Sequence, residues 1–375
     1  QALGAAKKYA LPMEPFDAAY KVAHTAMTGK SAEDFVENLA DLCAKAASIA
    51  EPSEIKLLTF SGKPQDAELI EGVVVLKAPA APGMPEKLKG KIMLLEPEFS
   101  PPVANVSIAD PAKIAEIAQM QNDFLQNRVD TITELGVQIV FCQRGMDSRV
   151  TQYMRKAGML AFKNIRRSDM QRIAAATGAE VITDISDFNS EDLGKGEVST
   201  HKDANAYVCI TGKSSEAATI LMPAPTEQAA EEFQRALEDA VGVSYLCVKE
   251  PFVVNGAGSI QARMSSHIKS LSAEENPKVE AARLAYAEAL MIIPQTLAES
   301  AGMDVMDVTV RMTTEPNLGV DVNNMMLTEM EVYEPLAVVN SAMSSAVENG
   351  VSLLRTHSIV MAKPIQEIFG ERASD

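Results

Sequence analysis

Few side chains in this sequence are spaced for chemistry, and most of those fall between residues 235 and 330. Asp239 lies in RALEDA (235–240), on an amphipathic, helix-like stretch, and a strand-like run then leads into VVNGAGS (253–259). A carboxylate on a helix can orient a water for attack on a phosphoryl group. A turn of small residues such as Gly256, Ala257 and Gly258 lets backbone approach a ligand closely. Together they read as one wall of a nucleotide pocket, although no phosphate-gripping loop precedes them. Elsewhere the chemistry-bearing residues are scattered. Cys43, Cys142, Cys209 and Cys247 show no C-x-x-C spacing and read as buried thiols of a reducing compartment, which places the chain in the cytoplasm. His24, His201, His267 and His357 are equally dispersed, so no metal site is expected.

Length and composition bound what those residues can serve. At 375 residues the chain suits two or three domains, and 47% apolar with 23% charged residues is ordinary for a globular protein. A formal net charge of −17 argues against nucleic acid or an anionic membrane as partner, and no apolar run is long enough to span a bilayer. Methionine is plentiful at 20 residues; flexible thioethers suit adaptable surfaces and also fill cores.

The elements that must position these residues follow from periodicity. The first 50 residues read as helical, with Ser31 capping a helix that repeats Phe35, Leu39, Leu42 and Ala46. EIKLLTF, a turn at SGKPQD and ELIEGVVVLK (54–77) read as paired strands. A Pro-rich excursion, EPEFSPPVANVSIAD, leads to a helix over 111–135 capped by Asp110, with Ile114, Ile117 and Phe124 on its apolar face. From 137 the chain alternates strand, helix 147–157, strand, helix 168–177 (Ser168 as cap, Gly178 as stop) and strand. That is a βαβαβ unit with a parallel sheet. Helices return through Asp239 and again over 277–301 and 336–354. Helical, mixed, α/β, mixed, helical is the order of a compact domain nested inside a helical base.

The stretch GVQIVFCQRGMDSRVTQYMRKAGMLAFKNIRRSDMQRIAAATGAEVITDI (136–185) resembles the apical domain of group II chaperonins, the archaeal thermosome and its eukaryotic cytosolic relatives. TAMTGK (25–30), ELIEGVVV (68–75), PGMP (82–85), EDLG (191–194), RALEDA, VVNGAG, IIPQTLAESAG (292–302) and LGVDV (318–322) recur in family order, so the resemblance covers nearly the whole chain. It implies a multidomain α/β subunit: partial equatorial segments at 1–29 and 251–375, intermediate segments at 30–70 and 223–250, and an apical domain at 71–222 with a helical protrusion at about 97–127. Such subunits fold non-native proteins inside an ATP-driven double ring of identical or mixed subunits.

The resemblance also assigns roles. Asp239 falls where the family positions the attacking water. Gly256, Ala257 and Gly258 fall on the glycine turn beside the nucleotide, with Ala257 replacing a family glycine. Asp321, Val322 and Glu329 fall where relatives contact adenine and ribose. Ile117, Met120 and Phe124 on the protrusion, and Val150, Tyr153 and Met154 on the 147–157 helix, are candidate contacts for non-native protein. Two departures stand out. The family's Gly-Asp-Gly-Thr-Thr loop, which holds phosphates and Mg²⁺, is not in these 375 residues, so the chain by itself is expected neither to bind ATP/Mg stably nor to hydrolyse it. Pro223, Ala224 and Pro225 stand where relatives carry a Gly-Gly hinge, which stiffens that joint. Two readings stay open: the family's N-terminal equatorial segment precedes residue 1 in the native protein, or the chain is a paralogue acting as a scaffold for a dedicated partner.

Overall fold

The computed structural model describes residues 2–101, 111–184, 188–201, 206–212, 217–315, 317–329 and 331–356, with the side chains of 111–115 left aside. The chain divides into two compact units, Glu14–Pro251 and Gln1–Met13 with Phe252–Asp375.

The larger unit holds two hydrophobic cores. One surrounds a seven-stranded sheet. Lys87–Leu95, Val137–Cys142 and Leu160–Phe162 run parallel, and their apolar residues other than Leu88 are buried because helices cover the sheet. Phe141 and Phe162 stack at 4.9 Å between ring centroids. Gly194–His201, Tyr207–Gly212 and Val73–Val75 extend the sheet antiparallel. Asp147 caps the helix Ser148–Lys156 by accepting from the Arg149 amide, and Gly178, at φ 71°, stops the helix Arg167–Thr177. That stop is where sequence placed it; the start is not. Arg166 is the N-cap and Ser168 lies inside the helix, with no side-chain cap.

Two strands also depart from expectation. Val181–Ile182 pairs with Lys87–Leu95, not with its predecessor in sequence, and Lys87–Leu95 was not anticipated as a strand. Its first half, KLKGK, lacks the apolar run that marks a buried strand; only IMLL carries it. The helix Pro111–Glu134 seats Leu125, Val129 and Ile132 in this core. The Asp110 cap and most of the Pro-rich excursion (102–110) lie outside the described residues, as does the Ile114 side chain.

The second core lies under a three-stranded sheet. The stretches 54–60 and 68–75 do not pair with each other. Ala218–Ala224, buried along its whole length, takes the centre, with Ile55–Ser61 parallel on one side and Glu68–Glu71 antiparallel on the other. Gly72, at φ 142°, breaks the chain so that Val73–Val75 joins the larger sheet instead. Helices Pro15–Met27, Val36–Ile49 and Glu227–Lys249 pack around it through Met27, Leu39, Phe233 and Leu237. Ser31 caps nothing here: a 3-10 turn, Glu33–Phe35, leads into Val36–Ile49. The two cores are stitched by Lys56 Nζ donating to Asp169 Oδ1 at 2.6 Å and by Thr219 Oγ1 donating to the Gly72 carbonyl at 2.9 Å.

The smaller unit is helical around a short sheet. Phe252–Asn255 pairs antiparallel with Leu11–Pro12 and with Tyr333–Pro335. Helices Ser259–Ser270, Pro277–Ser300, Val305–Thr314 and Leu336–Arg355 surround it, the second and fourth ending within one residue of the sequence expectation.

Candidate functional site

The small-residue turn of the smaller unit is tightly built. Ala257 has φ 54° and Gly258 φ 81°, both in the left-handed region, and the helix Ser259–Ser270 starts directly after them. A Cβ on Gly258 would stand 2.7 Å from Pro294 Cβ, and one on Gly256 would stand 2.9 Å from a Glu334 carboxylate oxygen. Both glycines are therefore required by close approach of neighbours. Ala257 keeps a methyl group in a conformation that favours glycine, at about 1 kcal/mol. Its carbonyl accepts from the Val320 amide at 2.9 Å, which ties the turn to the strand Gly319–Asp321.

Asp321 ends that strand, one residue beyond Val320. Asp321 accepts from the amides of Asn323 and Asn324 through Oδ1 and from the Asn324 side-chain amide, at 2.7 Å, through Oδ2. These bonds, the Asn324 side chain first, hold its carboxyl below the usual range. Val322 follows in the turn with an exposed side chain, and Glu329 lies in the field of Arg263.

Three groups here went unnoticed in the sequence. Glu334 is pushed above the usual carboxylate range by burial. Asn255 Oδ1 and Gln261 Oε1 are buried with no hydrogen-bond partner among the described residues. Their signal was position alone: Asn255 and Gln261 flank the glycine turn, and Glu334 belongs to VYEP (332–335).

Asp239 belongs to the larger unit, on the helix Glu227–Lys249, with its side chain 63% exposed. Its Oδ2 accepts from Lys30 Nζ at 2.6 Å, so Lys30 of TGK is a partner that sequence reasoning missed. Among the described residues, no group of three or more His, Cys, Asp or Glu is placed to hold a metal. The four cysteines are buried, and desolvation pushes Cys43 and Cys247 up to about 12 and Cys142 and Cys209 up to about 11. They are structural thiols, not nucleophiles.

The candidate protein-binding residues divide. Met120 is 64% exposed, Phe124 is 36% exposed beneath the Arg128 guanidinium (5.3 Å), and Ile117 is half-buried. On the helix Ser148–Lys156, Val150 and Met154 are wholly buried against the sheet and Tyr153 is partly buried. Val150 and Met154 are therefore corrected to core residues, because the spacing that marked a stripe marks its inward face.

Pro223 and Ala224 are strand residues paired with Phe60 and Ser61, and Pro225 is exposed just before the cap Thr226. The Gly62 amide donates to the Ala224 carbonyl at 3.0 Å, and a Cβ on Gly62 would stand 2.8 Å from Pro223 Cβ.

A family profile described as the TCP-1/cpn60 chaperonin family matches residues 2–364. The chain belongs to that family, on its group II branch. It is 36% identical to the thermosome subunit beta of Archaeoglobus fulgidus, over 92% of this chain and 69% of that one. It is 34% identical to the thermosome subunit of Methanopyrus kandleri, over the same shares. The open-state monomer of a group II chaperonin from Methanococcoides burtonii superposes with a TM-score of 0.70 at 30% identity, over 95% of this chain and 91% of that one. No helix among the described residues is long and apolar enough to cross a membrane.

Proposed function

We propose that this chain serves as a chaperonin subunit that captures non-native protein on the exposed apolar face of the helix Pro111–Glu134. The observation that carries this reading is the exposure of Met120 and Phe124, in a helix whose other half is seated in the core. Unfolded chains expose apolar surface, and a thioether beside an aromatic ring adapts to many shapes. Residues 71–222 act as the apical domain, 30–70 and 223–250 as the intermediate domain, and 1–29 with 251–375 as equatorial segments of a homo- or hetero-oligomeric ring in the cytoplasm. Purified protein should suppress aggregation of several unrelated denatured clients, and Met120→Lys with Phe124→Lys should abolish most of that suppression. Full suppression by the double variant overturns the reading.

The family is ATP-dependent, and the turn at 256–258 has the close backbone of a nucleotide wall. The phosphate and metal side does not fit these residues. Asp239 is paired with Lys30, and no metal-ligating cluster occurs among the described residues. No nucleotide-driven step is therefore assigned to this chain alone. A second reading, a scaffold for one dedicated partner, is favoured by Ala257 in a glycine conformation and by Pro223 held within a strand. Stoichiometric co-purification with a single native protein, without suppression of unrelated clients, distinguishes it.

A further inference from the structure

A second concave surface lies on the larger unit, and neither Met120 nor Phe124 lines it. It encloses about 660 Å³ over the middle of the seven-stranded sheet and is lined by Lys89, Lys91, Lys195, Gln138 and Thr211. Three glycines meet in its floor: Gly196 pairs with Gly90 on one side and with Gly212 on the other, and the Gln138 side chain lies over Gly90. The volume lies in the range of pockets that hold a ligand.

Glu197 stands directly opposite Lys89 and offsets it, but the charges of Lys91 and Lys195 have no acidic partner among the described residues. Lys91 and Lys195 are direct cross-strand partners, an arrangement of like charges that destabilises a sheet. Lys91 donates to the Leu135 carbonyl at 2.9 Å, which satisfies one N–H without neutralising the ammonium. Among the described residues, Lys195 and Gln138 have no hydrogen-bond or ion-pair partner. Glu197 is the acid of the surface, and Lys87 engages it at 2.5 Å. Three lysines thus converge on one concavity in a chain whose formal net charge is −17.

We propose that this surface binds an acidic, extended segment of a captured polypeptide, whose carboxylates bridge Lys91 and Lys195 and reach Lys89. The occupant follows from charge complementarity: neighbouring carboxylates along one chain meet several fixed ammonium groups. Placing negative charge between Lys91 and Lys195 turns a repulsive pair into a bridged one. This deepens the reading of the protein as a client-binding subunit and rests on it. The surface adds selection by charge to capture by apolar contact.

The test is fluorescence anisotropy of a labelled Glu-rich peptide and of an uncharged apolar denatured client, each titrated with the full chain. Wild type should bind both. Lys91→Gln with Lys195→Gln should weaken the Glu-rich peptide about tenfold, leave the apolar client unchanged and raise the peptide-free melting temperature. Lys163→Gln, an exposed lysine outside the surface, should change neither. Unchanged peptide affinity in the double variant overturns the proposal. Inorganic phosphate competing as well as the peptide at equal charge also overturns it, because the surface would then take small anions only. Loss of the apolar client by wild type would overturn the client-binding reading itself, a separate result.

Discussion

Lys56 and Asp169 meet at 2.6 Å with 22% and 11% of their side chains exposed, and they join the mixed three-stranded sheet to the helix Arg167–Thr177 of the α/β core. Half-buried charges need each other: Lys56 also reaches the Val74 carbonyl at 3.4 Å, but only Asp169 offsets its charge. The pair is reinforced close by, where Arg172 donates to the Ser53 carbonyl at 3.0 Å.

Asp169→Ala should therefore destabilise the larger unit by about 2–4 kcal/mol, because it leaves Lys56 half-buried and unpaired. Lys56→Met with Asp169→Leu should recover most of that loss. Urea denaturation of the three variants checks both statements.

Ala257→Gly should stabilise the smaller unit by about 0.5–1 kcal/mol, since glycine adopts φ 54° without crowding. A rise in melting temperature is the expected result. Gly258→Ala should do the opposite, by colliding with Pro294.

Glu334 sets a pH dependence. Burial raises its folded-state pKa above the ordinary value of 4.5, so its contribution to stability is full below that value and is lost as pH rises through the raised pKa. Glu334→Gln removes this term. The variant should gain stability relative to wild type as pH rises from about 4 to 8, read from melting temperatures across that range.

Met154→Ala should cost about 2–5 kcal/mol as a cavity in the α/β core. Client capture at temperatures well below melting should remain, which separates Met154 from the Met120 and Phe124 face.

Much of this architecture was legible beforehand, for identifiable reasons. Val137–Cys142 is an unbroken apolar strand, Gly178 is a glycine stop, and the helices Pro277–Ser300 and Leu336–Arg355 carry long regular patterns. What failed was long-range or ambiguous. Nothing local says that Ala218–Ala224 separates Ile55–Ser61 from Glu68–Glu71, because about 150 residues intervene. Ser31 and Ser168 have capping chemistry but the wrong backbone position. At the candidate site, the tie between the glycine turn and the strand Gly319–Asp321 is a long-range backbone bond that no local pattern shows. Lys30 opposite Asp239 was hidden by 209 residues of separation. The stripe of Val150 and Met154 was real, and a stripe alone does not say which way it faces.

The central claim, that the Met120 and Phe124 face grips unfolded chains, is tested most directly by a photocrosslinking amino acid at position 120. Denatured client should give adducts at position 120 and few at position 163, and the same client in its native state should give none. Equal adducts with native and denatured client, or none with either, would contradict the account.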